Sequence, residues 1–308
     1  MSKPEPNDTI AAGPDGLVAV LLAGGKGTRL GPLTRTEAKP AVPFAEGRLI
    51  VDFAMHNAYR SNISSMLVCT QWHPATLVAH LECNWRAGFS QGLVYRDGNR
   101  LAAPDGYRGT AHAVACNAPE LEAAGTRELL VLAGDHVYDM DYRKMIAAHR
   151  AVGLPVTVAA LPVPRSDASG FGVFETEGPC HARRFLEKPA EPPAMYGDPD
   201  RALISMGIYV FDWLWLRNVL GCDRPDDPNR PLDFGHDVLP AAVTRGEVSV
   251  YCFMEPATGP APYWRDVGTL SALEHTRADF SAETRPFDLP VFPVVAGKPD
   301  ERLMSPAR

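Results

Sequence analysis

The 308-residue sequence holds no run of about 18 apolar residues, so no segment reads as a membrane-spanning helix. It also lacks the apolar core of a signal peptide: the start, MSKPEPNDTIAAGPDG, is polar and rich in Pro and Gly. The six cysteines (Cys69, Cys83, Cys116, Cys180, Cys222, Cys252) include no Cys-x-x-Cys pair. That argues against a disulfide framework or a zinc site and for reduced thiols in a cytoplasmic protein. Basic residues are outnumbered, 30 against 37 acids, giving a net charge of −7 and a pI near 5.7. Such a chain has no general attraction for nucleic acid or an anionic membrane, so an anionic ligand must be met by local cations. Neither Gly-x4-Gly-Lys-Ser/Thr nor Gly-x-Gly-x-x-Gly occurs. Asp233-Phe234-Gly235 spells a kinase triplet, but the kinase His-Arg-Asp and Val-Ala-Ile-Lys segments are absent, and nothing resembles a Ser-His-Asp arrangement. His136 and the other histidines lack metal-ligand spacing and read as structural or solvated.

What is present is an alternation of short apolar runs and helix-like segments. Strands are expected at Val18–Leu22, Met66–Thr70, Leu129–Ala133, Val156–Leu161, Gly207–Phe211 and Val248–Phe253. Helices are expected at Asp52–Arg60, Pro74–Trp85, Gly109–Cys116, Tyr142–Val152 and Ala272–Phe280. This order predicts an α/β fold with a mostly parallel, Rossmann-like sheet flanked by helices. The runs are nearly all apolar rather than alternating, as in strands covered on both faces. Residues 1–16 read as a disordered leader, 17–282 as one catalytic domain and 283–308 as an irregular Pro-punctuated tail. Asp223–Pro231 reads as a polar loop, and no repeat of fixed period is found.

Four short pieces carry the chemistry. The first, LVAVLLAGGKGTRLGPLT (Leu17–Thr34), ends a strand in Gly24, Gly25 and Gly27, with Lys26 and Arg29 framing Thr28. Bare backbone lets a ligand approach, and successive amides and cations suit phosphate; the alternative is a tight turn with solvated cations. The second, LLVLAGDHVY, runs a strand into Gly134-Asp135. A carboxylate at a strand's carboxyl end is placed to hold a metal ion, or else to cap the next helix. The third, RRFLEKP, sets Lys188 before a proline; the fourth, YWRDVGTL, puts Asp266 before a glycine. Singly these read as a surface cation and a helix cap. Together with the glycine loop and Asp135 they form a set suited to metal-assisted phosphoryl chemistry.

These pieces, with AKPAVPF, IVDFAMHNA, YRGTAHAV, FGVF, ISMGIYVF and DFGHDVLP, resemble the sugar-phosphate nucleotidyltransferases over most of residues 17–280. Within that family YRGTA, SMGIYVF and YWRDVGT are similar to the ADP-glucose-forming branch, the bacterial glucose-1-phosphate adenylyltransferases. The resemblance implies a nucleotidyltransferase (glycosyltransferase A-like) fold and Mg²⁺-dependent conversion of ATP and glucose 1-phosphate to ADP-glucose and pyrophosphate, for glycogen or another α-glucan. It implies that Leu22, Ala23, Gly24, Gly25, Gly27 and Thr28 wrap the nucleotide phosphates, with Arg29 and Lys39 catalytic on phosphate. Gln71, Tyr107, Gly109 and Thr110 would line the base and ribose side. Asp135, also catalytic, and Asp266 would hold Mg²⁺. Lys188 would grip the sugar phosphate, with Gly172, Glu187 and Ser205 near the glucose ring. No covalent intermediate is implied, because the substrate itself attacks.

The sequence departs from the family text in places. The family continues into a C-terminal β-helix domain that contributes to tetramers and effector sites, whereas this sequence stops at Arg308. Thr36-Glu37 and Leu49 stand where regulated members carry basic residues, His112 where an acid is usual, and His236 where a lysine is usual. An unregulated enzyme, as a homo-oligomer or beside a full-length paralogue, is therefore expected. A catalytically silent sugar-nucleotide-binding paralogue, or an enzyme for another nucleotide or hexose 1-phosphate, are the competing readings.

Overall fold

The computed structural model describes residues 9–178, 181–224, 227, 230–254 and 262–293. Its strands are β1 (Leu17–Ala23), β2 (Ser65–Thr70), β3 (Gly92–Asp97), β4 (Glu128–Ala133), β5 (His136–Tyr138), β6 (Val156–Pro164), β7 (Gly172–Glu177), β8 (His181–Glu187), β9 (Arg201–Asp212), β10 (Val248–Cys252) and β11 (Trp264–Asp266). Its α-helices are α1 (Val51–Arg60), α2 (Pro74–Asn84), α3 (Gly98–Leu101), α4 (Thr110–Cys116), α5 (Ala118–Ala123), α6 (Tyr142–Val152), α7 (Trp213–Val219), α8 (Leu239–Thr244) and α9 (Leu270–Ser281).

Nine strands form one sheet in the order β3-β2-β1-β4-β9-β6-β10-β8-β7, with β7 also pairing β9; β11 and β5 form a small antiparallel sheet of their own. Only β9 and β8 run against the other strands of the large sheet. The fold is thus the mixed, mostly parallel α/β sheet expected. Successive β1 residues explain the apolar runs: Ala19, Leu21 and Ala23 join a core with α1, α2 and α6, while Val18 and Val20 join a core with α4, α7 and α8. Helices on both faces bury both rows of side chains. A third core packs Phe44, Phe53 and Phe280 with Val267 beneath β11. Among the described residues no helix is long and apolar enough to cross a membrane, and Cys69, Cys83, Cys116 and Cys222 are free thiols; Cys180 lies outside the described residues.

Two expectations need correction. Residues 9–16 are ordered rather than loose: Ala11 and Ala12 amides donate to Gln91 and Ala124 carbonyls at 2.9 and 2.8 Å, and Ile10 is buried. They close the edge beside β3, where an apolar side chain and open amides both find partners. Residues 283–293 carry no helix or strand, yet they dock on the fold. Leu289 is buried and Phe287 meets Phe280 edge-on, centroids 5.0 Å apart. Residues 1–8 and 294–308 lie outside the described residues.

Candidate active site

The carboxyl ends of β1 and β4 open onto a cavity of about 360 Å³. Its walls include Leu22, Ala23, Gly24 and Gly25 from β1 and the turn after it, Gln71 after β2, Tyr107 and Gly109 before α4, Thr110 at its start, and Asp135 after β4. Of the residues marked in the sequence, these converge on one cavity. Pro40, Cys69, Ala113, Ala133, Gly207, Tyr209 and Asp233 also line it, and sequence reasoning missed them. Most of these are small or apolar residues, whose position, not chemistry, brings them there.

Lys39 crosses the cavity floor. Its ammonium lies 2.7 Å from Asp135 Oδ2 and 3.2 Å from Asp266 Oδ1. The stem passes under the glycine turn, where a Cβ on Gly27 would come within 2.8 Å of Lys39 Cβ and the backbone has φ +60°. Gly27 is therefore needed twice, for space and for its left-handed conformation. Burial disfavours the Lys39 charge, but the two carboxylates outweigh it and hold the pKa above its ordinary value. Burial likewise pushes Asp135 up, yet His136 and Lys39 pull it down to about 2. Both acids escape the capping alternative: Asp141 caps α6 and Thr269 caps α9.

The small sheet brings the acids together. β11 pairs β5 with Asp266 opposite His136, next to Asp135. Cross-strand partners project from the same face, and one ligand atom from each of Asp135, His136 and Asp266 falls within 4.8 Å of the others. His136, which the sequence reads as structural or solvated, falls within this cluster through a register that no spacing rule reveals. Two carboxylates suit a hard divalent cation completed by phosphate oxygens and water, as Mg²⁺ is usually held. A cation, the Lys39 ammonium, already bridges them, so the donor set fits such an ion.

Arg29 reaches the same corner. A Cβ on Gly268 would lie 2.8 Å from Arg29 Nη2 and 3.0 Å from Asp266 Oδ1. Lys26 sits 5.3 Å over the Trp72 ring, and Thr28 is exposed beside the glycine turn. Farther along, the Glu187 carboxylate is lodged between two backbones: Cβ atoms on Gly172 and Gly235 would come within 2.9 and 2.7 Å of its Oε2. Its Oε1 accepts from Lys188 Nζ at 2.9 Å, and Lys188 is exposed with φ +46°. Ser205 accepts the Gly207 amide at 3.3 Å. Gly172, Glu187, Lys188 and Ser205 thus lie outside the cavity walls, linked to them through Gly207 and through Asp233, whose Oδ1 would lie 3.4 Å from the same Gly235 Cβ.

The family model for nucleotidyl transferases matches residues 18–283. A glucose-1-phosphate adenylyltransferase of Cereibacter sphaeroides is 41% identical over 280 residues, covering 88% of this chain and 66% of that protein. The protein of the same name from Jannaschia sp. is 41% identical over 276 residues, with 87% and 66% covered. The chain thus spans just under two thirds of the length of these curated relatives. A solved Bacillus anthracis structure, named for glucose-1-phosphate thymidylyltransferase and holding sucrose, superposes with a TM-score of 0.65 at 20% identity, over 85% of this chain and 94% of that one. That likeness concerns the fold alone. With the matched family model covering most of its length, the chain belongs to the nucleotidyl transferase family.

Proposed function

We propose that the chain transfers the adenylyl group of ATP to glucose 1-phosphate, forming ADP-glucose and pyrophosphate with Mg²⁺ as cofactor. The observation that carries this reading is that Lys39, which lines a cavity with a glycine-bare wall together with Asp135, joins Asp135 to Asp266. The names of the 41%-identical relatives support the choice of substrates.

The chemical problem is to bring two anions together. An oxygen of the sugar phosphate attacks the α-phosphorus in line, and pyrophosphate leaves. Gly24, Gly25 and Gly27 would let triphosphate oxygens reach the turn, with Arg29 on the departing pyrophosphate. Asp135 and Asp266 would hold the metal, which when bound polarises phosphate oxygens and neutralises charge. Lys39 would neutralise phosphate, Lys188 would take the sugar phosphate, and Glu187 and Ser205 would meet glucose hydroxyls. Tyr107, Gln71, Gly109 and Thr110 would flank the base and ribose. Positioning and charge neutralisation together supply several kcal/mol of barrier lowering, on the order of that attributed to Lewis-acid metals. Residues 17–282 would form the catalytic unit, extended by the docked segments on either side.

A pyrophosphate-release assay with four nucleoside triphosphates and several sugar 1-phosphates tests this. Turnover is expected with ATP and glucose 1-phosphate, and its loss with chelator and in Asp135→Asn. Sugar-nucleotide binding without turnover would favour the silent paralogue, and turnover with another pair would reassign the substrates.

A further inference from the structure

His112 stands in the first turn of α4, buried, with its backbone amide on the Leu232 carbonyl at 3.0 Å. Its ring faces backwards, out of the nucleotide-side cavity. Nδ1 lies 3.0 Å from the Arg108 amide nitrogen, and Nε2 lies 3.4 Å from Cys116 Sγ. An amide can only donate, so Nδ1 is the bare nitrogen and Nε2 carries the proton toward sulfur. The imidazole is neutral, because burial and the Arg230 and Arg108 charges push its pKa down to about 4.

Arg108 itself points away from the cavity, but Tyr107 and Gly109 on either side of it line that cavity. The turn is held at each neighbouring residue. The Tyr107 amide donates to Gln71 Oε1 at 2.7 Å, and Thr110 Oγ1 donates to Asp233 Oδ2 at 2.9 Å. Gly109 is pressed so close to Leu232 that a Cβ would fall 2.2 Å from its carbonyl oxygen. The Arg108 amide is the middle tie of this row, and among the described residues its acceptor is the His112 ring. On the other side of the turn His112 and Arg108 line a second cavity of about 590 Å³. Without the imidazole, that amide would face the second cavity.

We infer that His112 is a positioning residue for nucleotide binding: its Nδ1 fixes the Tyr107–Thr110 turn, and with it one wall of the nucleotide pocket. This rests on the nucleotidyl-transfer reading and adds to it a residue that touches neither substrate. Asparagine can place an amide oxygen where Nδ1 sits, whereas glutamine reaches the Nε2 position and misses Arg108.

The test uses the full chain and two variants, His112→Asn and His112→Gln. Binding of each of the four nucleoside triphosphates with Mg²⁺ is measured, together with KM for ATP and for glucose 1-phosphate and with hydrogen exchange of the 105–112 amides. In His112→Gln, nucleotide affinity and KM for ATP are expected to worsen by about five- to tenfold, the scale of one lost hydrogen bond. KM for glucose 1-phosphate should hold within about twofold while the Arg108 amide exchanges faster, and His112→Asn should restore all three. Glutamine binding nucleotide like the wild type, both KM values rising together, or asparagine failing as glutamine does would each overturn the inference. If the wild type binds a triphosphate other than ATP, the adenylyl reading fails and the His112 comparison is read on that nucleotide. A wild type that binds none overturns both.

Discussion

Lys39 takes its ammonium to two acids that lie 96 and 227 positions further along the chain. Three charged groups in a half-buried site are stable only as a set, since two bare carboxylates would repel. The same contact has a consequence for metal entry: a divalent ion and the ammonium compete for the same oxygens. Lys39→Met is therefore predicted to tighten Mn²⁺ binding several-fold, roughly the effect of removing one neighbouring like charge. Turnover should fall by about two orders of magnitude, the usual cost of a lost charge-stabilising donor. Mn²⁺ electron paramagnetic resonance titration reads the first effect, and weaker binding in the variant would contradict it. At this scale much was legible. Asp135 stands out because it follows an apolar run and a glycine, and Asp266 because it lies between aromatics and a glycine. His136 did not stand out, because its place beside Asp266 depends on the register of β11 against β5, two strands far apart in the chain.

At the scale of elements, the small sheet depends on what lies beneath it. Phe280 of α9 is buried and packs edge-on against Phe44 at 5.2 Å, Phe53 at 5.8 Å and Tyr263 at 5.9 Å. Tyr263 immediately precedes β11 and donates its hydroxyl to Asp279 at 2.6 Å. Phe280→Ala is predicted to cost about 3–5 kcal/mol, as large-to-small aromatic substitutions in cores do. Denaturant unfolding measures that loss, and Mn²⁺ affinity should fall with it as β11 loosens. A cost below about 1 kcal/mol would show that α9 does not support the site. Strand legibility follows burial. β1, β4 and β10 were readable because helices cover both faces. β7 (GVFETE) and β8 (HARRFLE) were not, since each carries charge on its solvent side near the sheet's end. β5 and β11, three residues each, are too short to leave a periodic signal.

Over the whole molecule, sequence order misleads about which parts belong together. The Pro- and Gly-rich ends read as loose, yet residues 9–16 close one sheet edge and 283–293 pack beside α1. There the Pro290 carbonyl accepts from Arg48 Nε at 2.6 Å, and Arg48 stacks on Phe292 at 4.4 Å. A proline-broken segment gives no helix or strand signal, but apolar side chains spaced along it can still dock. The alternation of strands and helices carried the sheet, whereas the pairing of β7 with both β8 and β9 had no local signature. The most direct measurement is a Mn²⁺ titration of the full chain beside Asp135→Asn and Asp266→Asn. Expected is one tight ion per chain, weakened by about tenfold or more in each variant, as for loss of one of two carboxylate ligands. Unchanged Mn²⁺ affinity in either variant would contradict a divalent site shared by these two acids.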